Sequence, residues 1–84
     1  MVYFVYGITD CPACLRACAV LMESDLEYVF IETDFAKSYR KQLQEKYRHP
    51  TFPIVVRENG PERLIIGGYD ELLIHLQRPA LDAP

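Results

Sequence analysis

The chain has 84 residues, 50% of them hydrophobic and 25% charged, with a formal net charge of −3 and three cysteines. That length holds one domain, the composition excludes both intrinsic disorder and a fibre, and no apolar run approaches the roughly 18 residues of a membrane-spanning helix. Three cysteines cannot all pair within one chain, and no cationic side chain precedes Arg16, so neither a secreted disulfide framework nor a secretory signal is expected. The expectation is a cytoplasmic domain whose cysteines are chemical rather than structural.

Residues 2–6 (Val-Tyr-Phe-Val-Tyr) are β-branched and aromatic and stop at Gly7, which reads as a buried first strand. Pro12 suits the first turn of a helix, where its missing N–H costs nothing. Cys14, Ala17, Cys18 and Leu21 then recur at helical spacing, with Arg16 and Glu23 on the opposite side. Residues 27–32 form a second strand. Thr33 or Asp34 is expected to cap a helix running to about Tyr47.

Two apolar runs follow, residues 54–57 and 63–66, joined by Glu58-Asn59-Gly60-Pro61. Asn-Gly between such runs is a hairpin signal, and Pro61 is expected to lengthen the loop beyond two residues. Gly67-Gly68 ends the last strand. Asp70 is expected to cap a final helix that points Leu72, Leu73 and Leu76 inward and ends at Pro79. Residues 1–79 then form the domain, and residues 80–84 are expected to be a frayed tail. A β-α-β opening makes the first two strands parallel with a right-handed crossover. The expected fold is α/β, a four-stranded mixed sheet in the order β-α-β-α-β-β-α, with three helices on both faces.

Residues 36–48 hold five basic residues against one acidic, while the rest of the chain holds four basic and eleven acidic. This basic stripe suits a small anionic ligand or equally a solvated helix face. The acidic overall balance, with no aromatics interleaved at stacking density, excludes nucleic acid as a partner.

Cys11-Pro12-Ala13-Cys14 lies just after a strand and opens a helix. A lone C-x-x-C is half of a zinc site, a structural disulfide or a redox dithiol. Zinc normally needs four ligands, and Cys18, His49 and His75 show no paired spacing, so no metal is expected. The strand-to-helix position favours the redox dithiol. Attack on a disulfide requires a thiolate. Cys11, facing the unpaired N–H groups and positive dipole end of the helix, is placed to be one. Cys14, one turn further in, is then the resolving thiol. Cys18 lies on the same helical face as Cys14 and reads as a packing residue.

Three motifs in order carry a family resemblance over nearly the whole chain. Tyr6 with Cys11-Pro12-Ala13-Cys14 resembles the strand-end tyrosine and C-P-x-C site of the small dithiol glutaredoxins. Thr51-Phe52-Pro53 resembles their threonine-valine-cis-proline loop, and Gly67-Gly68-Tyr69-Asp70-Glu71-Leu72 their γ-glutamyl-binding segment. The resemblance implies a thioredoxin fold and a glutathione-dependent thiol-disulfide oxidoreductase. Its substrates would be protein disulfides and protein–glutathione mixed disulfides, with ribonucleotide reductase as a possible client, and it would act as a monomer. It implies glutathione contacts at Thr51, Phe52, Pro53, Gly68, Tyr69 and Asp70, with Arg40 or Lys41 taking the glycine carboxylate, and Tyr6 and Pro12 supporting the site. Two other functions stay open: an iron–sulfur carrier in which two chains share a cluster through Cys11 and two glutathiones, and a redoxin reduced by thioredoxin reductase. The Gly67-Gly68-Tyr69-Asp70 segment argues against the second.

Besides Phe52 in place of valine, three positions near the cysteines depart from the pattern. Ile8 replaces a frequent lysine and Asp10 a frequent threonine, so a cation is lost and an anion gained beside Cys11, and its thiol pKa is expected to be depressed less than in relatives. Ala13 replaces a tyrosine and opens the cleft.

Overall fold

A computed structural model describes residues 1–77. Its elements run β1 (Val2–Gly7), α1 (Pro12–Glu23), β2 (Tyr28–Glu32), α2 (Lys37–Lys46), β3 (Ile54–Asn59), β4 (Glu62–Gly67) and α3 (Tyr69–Leu76). The sheet order is β2-β1-β3-β4. β1 pairs parallel with β2, Tyr3 opposite Tyr28, and antiparallel with β3, Val5 opposite Val55. This is the expected four-stranded mixed sheet. The expected helix end at Pro79 and the tail at 80–84 lie outside the described residues.

The strand period of two sends alternate side chains to two cores. Tyr3, Val5 and Val55 join Ala17 and Leu21 of α1 and Leu72 of α3 on one face, with Leu76 packed against them. Ile54 and Val56 join Leu43 of α2 and the following Tyr47 on the other. Two helices therefore cover one face and one the other. Val5, Leu21, Ile54, Val55, Val56 and Leu72 are all fully buried. Among the described residues no helix is long and apolar enough to cross a membrane.

The hairpin is tighter than expected. Asn59 faces Glu62 across the ladder, leaving a two-residue turn in which Gly60 takes φ +63°. Pro61 sits in the turn itself, where the ladder needs no N–H from it.

The expected caps differ more. The residue capping α2 is Ala36, without a side-chain hydrogen bond. Thr33 is fully buried and donates its hydroxyl and its backbone N–H to the carbonyl of Gly7, at 2.9 and 2.8 Å. Asp34 instead accepts from Thr9. Both side chains had local backbone donors within reach, and the tertiary partners won.

Candidate active site

The chain leaves β1 at Gly7 and reaches α1 through residues 8–10. Asp34 holds this loop, its carboxylate accepting the Thr9 N–H at 3.2 and 3.3 Å and also the Thr9 hydroxyl. Cys11 then caps α1: its Sγ accepts the N–H of Cys14 at 3.2 Å, and Pro12 takes the first helical position. No acidic side chain enters the first turn. The Cys11 sulfur thus sits on an otherwise unpaired helix N–H, the arrangement that stabilises a thiolate.

Cys11 and Cys14 are joined as a disulfide, with Cα atoms 5.2 Å apart. Cys14 is fully buried while Cys11 is half-buried, so Cys11 is the more accessible of the two. Across from it lies the loop before β3, where the Phe52–Pro53 peptide is cis. The Phe52 carbonyl is 3.9 Å from Cys11 Sγ, while the Phe52 ring packs into the α2-side core. Pro53 is buried and Thr51 exposed.

Gly7 forms the floor beneath the Cys14 sulfur, beyond its expected part in ending the strand. A Cβ at Gly7 would lie 2.8 Å from Cys14 Sγ and 2.8 Å from Phe30 Cε1. The sequence signal was the glycine itself, four residues before the C-x-x-C at the end of an apolar strand.

A cavity of about 400 Å³ opens beside the proline loop, running toward the N-terminus of α3. Its walls include Ala13 and Arg16 of α1, His49 and Thr51 to Pro53 of the loop, and Gly68 to Glu71. Gly68, Tyr69 and Asp70 are thereby brought together with Thr51, Phe52 and Pro53. Arg40 and Lys41 are not among the lining residues. Lys41 is exposed on α2, and Arg40 keeps a buried Nε that has no hydrogen-bond partner among the described residues.

Asp70 does not cap α3. The cap is Gly68, and Asp70 and Glu71 both fall in the first turn. The capping carboxylate is that of Glu71, whose Oε1 accepts the Gly68 N–H at 2.6 Å. A glutamate three residues past the cap has the reach for this bond, which leaves Asp70 exposed at the cleft. Sequence reading also left His49 without a role. Its Nδ1 lies 2.8 Å from the Thr51 carbonyl and its Nε2 3.7 Å from Glu71 Oε1.

A sequence model of glutaredoxins matches residues 2–60. The chain belongs to the glutaredoxin family. Among solved structures, the solution structure of a glutaredoxin from Brucella melitensis superposes with a TM-score of 0.77 at 26% identity, covering 99% of this chain and 86% of that one. No curated protein sequence matches. The glutaredoxin domain has the thioredoxin fold, and its paired cysteines at a helix start mark it as a thiol-disulfide oxidoreductase. The family in general uses glutathione as reductant.

Burial sets the chemistry of two further side chains of this glutaredoxin, Tyr6 and Cys18. Tyr6 points into the α2-side core beside Tyr47, ring centroids 5.7 Å apart. Burial raises its phenol pKa above the ordinary value of 10.0, and the neighbouring Tyr47 and Tyr39 add to the rise. Tyr6 therefore stays a neutral wall under the sheet. Cys18 is half-buried against the α1/α3 core, and desolvation raises its thiol pKa too. A thiol that resists ionising is a poor nucleophile, in keeping with a packing role.

Proposed function

We propose that this domain reduces protein disulfides and protein–glutathione mixed disulfides at the expense of glutathione, with Cys11 as nucleophile and Cys14 as resolving thiol. The observation that carries the reading is the juxtaposition at Cys11. Its sulfur rests on the Cys14 N–H and faces the carbonyl of Phe52 before cis-Pro53, with a cleft leading from that loop to the start of α3. In the first step the Cys11 thiolate attacks one sulfur of the substrate disulfide, forms a mixed disulfide and expels the other sulfur as a thiolate. Cys14, deprotonated, then attacks the Cys11 sulfur, releasing the second substrate thiol and leaving the Cys11–Cys14 disulfide. Two glutathione thiols return the electron pair and leave as glutathione disulfide. When the substrate is itself a glutathione mixed disulfide, Cys11 takes the glutathionyl group and a second glutathione removes it.

The backbone of Phe52 is open to strand-like pairing with the cysteine residue of glutathione. Asp70, exposed at the cleft, suits the γ-glutamyl ammonium, and the N–H groups at the start of α3 suit its carboxylate. Arg40 and Lys41 stay candidates for the outer glycine carboxylate, and Arg16 adds a cation to the lining. The domain is proposed to act as a monomer in the reducing cytoplasm, where free thiols persist, with ribonucleotide reductase among its clients.

The test compares two reductants, glutathione with its reductase and thioredoxin reductase. Turnover is expected with the first. Cys11→Ser is expected to abolish it, while Cys14→Ser keeps deglutathionylation and loses protein-disulfide reduction. Equal loss in both variants contradicts the division of roles. Turnover with thioredoxin reductase alone contradicts the glutathione reading.

A further inference from the structure

We propose that His49 is a positioning residue that ties the proline loop to the start of α3 and thereby sets how tightly the cleft holds a glutathionyl group. The proposal rests on the reading above, that this cleft receives glutathione.

His49 is fixed from its own backbone outward. It follows Arg48, whose φ is +53°, and its N–H donates to the Gln44 carbonyl at 3.0 Å. The ring therefore leaves the end of α2 in a defined direction and reaches two elements. A carbonyl only accepts, so the 2.8 Å contact with Thr51 requires a proton on Nδ1. In a neutral ring, Nε2 would then present a lone pair to the Glu71 carboxylate 3.7 Å away. The imidazolium satisfies both sides, donating from Nδ1 to Thr51 and directing Nε2–H toward Glu71. Glu71 Oε1 meanwhile accepts the Gly68 N–H at 2.6 Å.

The result is a continuous polar path: Thr51 carbonyl, His49 ring, Glu71 carboxylate, Gly68 N–H. Its two ends both line one cleft, and they come from segments well separated in the chain. Gly68 makes room for the carboxylate, since a Cβ there would lie 3.1 Å from Glu71 Oε1, while His49 Cε1 at 3.4 Å would be in ordinary contact.

Charge gives the tie a consequence for binding. The α3 end of the cleft carries two carboxylates, Asp70 and Glu71, against Arg16 and His49. A γ-glutamyl group brings one ammonium and one carboxylate. Asp70 suits the ammonium, but an uncompensated Glu71 would repel the carboxylate. Facing the His49 ring 3.7 Å away, Glu71 keeps its capping bond and part of its charge is screened from the ligand. Without His49 the wall also loses its brace to Thr51. Both losses weaken binding of a glutathionyl group and leave the Cys11 sulfur on its helix N–H.

Two side-chain replacements separate the parts. His49→Asn keeps a donor near the Nδ1 position for Thr51 and removes the reach to Glu71, whereas Glu71→Gln keeps an acceptor for Gly68 N–H and removes the charge. With a glutathionylated peptide as substrate, His49→Asn leaves the Glu71 charge uncompensated and is expected to raise KM about three- to tenfold, with the change in KM exceeding that in kcat. Glu71→Gln removes the repelling charge and is expected to leave KM within about twofold. The double variant is expected to recover most of the His49→Asn loss, because no uncompensated carboxylate then remains beside the ligand. A small uncharged aromatic disulfide without a glutathionyl group is expected to show an effect at least threefold smaller. A KM unchanged in His49→Asn overturns the proposal, as do a double variant no better than His49→Asn or equal losses on both substrates. If the parent protein reduces the aromatic disulfide but never the glutathionylated peptide, the glutathione reading has failed instead. The tie is then read by NMR: a proton on Nδ1 and an Nε2 shift that moves in Glu71→Gln support it, and an Nε2 shift indifferent to Glu71→Gln sinks it.

Discussion

Replacing Gly7 by alanine should strike the resolving cysteine through packing alone. The positive-φ glycines are Gly60 and Gly67, so alanine at position 7 meets no backbone strain. The added Cβ lies 2.8 Å from Cys14 Sγ, 2.8 Å from Phe30 Cε1 and 3.1 Å from Cys14 Cβ, where ordinary contact begins at 3.4 Å. Overlaps of about 0.6 Å thus arise on two sides at once. Neither neighbour gives way easily, because Cys14 is fully buried and Phe30 packs against the core. The strand itself is held by the two Thr33 donors on the Gly7 carbonyl. Overpacking of this kind costs about 1–3 kcal/mol.

A domain of this size loses roughly 4–8 °C of Tm per kcal/mol, so melting should fall by about 4–24 °C. A typical stability of about 5–15 kcal/mol leaves the fold intact at room temperature. Thermal melts of the reduced protein give the cost, and placing Cys14→Ala behind Gly7→Ala removes the Sγ overlap and should recover part of it. Single-turnover kinetics should show protein-disulfide reduction, which needs Cys14, slowed more than attack by Cys11. Melting within about 2 °C of the parent would refute the steric argument, and so would a cost that Cys14→Ala leaves untouched.

Leu72 is fully buried between α3 and the sheet, so Leu72→Ala should cost about 2–5 kcal/mol in urea unfolding; a loss under about 1 kcal/mol would mean that the site collapses to fill itself. The raised pKa of Tyr6 means that folding favours the neutral phenol. Its contribution is complete below the unfolded value of about 10 and is lost as pH rises through the higher folded value. Alkaline unfolding followed by circular dichroism should therefore shift to higher pH in Tyr6→Phe, and an unmoved midpoint would contradict the burial argument. Asp10→Thr removes an anion next to Cys11 in the chain, so the thiolate absorbance midpoint of Cys11 should fall; an unchanged midpoint would show that Asp10 is screened from the sulfur.

The elements were legible where one period or one special residue decided the matter. Residues 2–6 read as a strand because β-branched and aromatic side chains run up to a glycine, and Cys14, Ala17 and Leu21 marked the buried face of α1 by spacing. The dithiol was legible because Pro12 and Cys11 announce a helix start directly after that strand. The short polar residues were misread. Thr33, Asp34 and Asp70 each fit a cap by local rules, yet Thr33 and Asp34 bond to β1 and its following loop, and Glu71 takes the role given to Asp70. Side chains of this kind have several backbone partners within reach, and only the three-dimensional neighbour list chooses among them.

That choice is concentrated at one end of the molecule. Thr33 on Gly7, Asp34 on Thr9, the Phe52 carbonyl near Cys11 and His49 between Thr51 and Glu71 all join segments remote in sequence. Each surrounds the cysteines or the cleft beside them. The two cores, by contrast, are apolar and follow from periodicity alone. Burial therefore supplies the bulk of stability, while polar contacts worth about 1 kcal/mol each fix where the loops around Cys11 lie. Such contacts are too weak to specify the fold, but they are strong enough to choose among loop positions of nearly equal energy. The thioredoxin fold could thus be read from the pattern of the chain, whereas the shape of the cleft depended on pairs such as His49 and Glu71 that no local pattern announces.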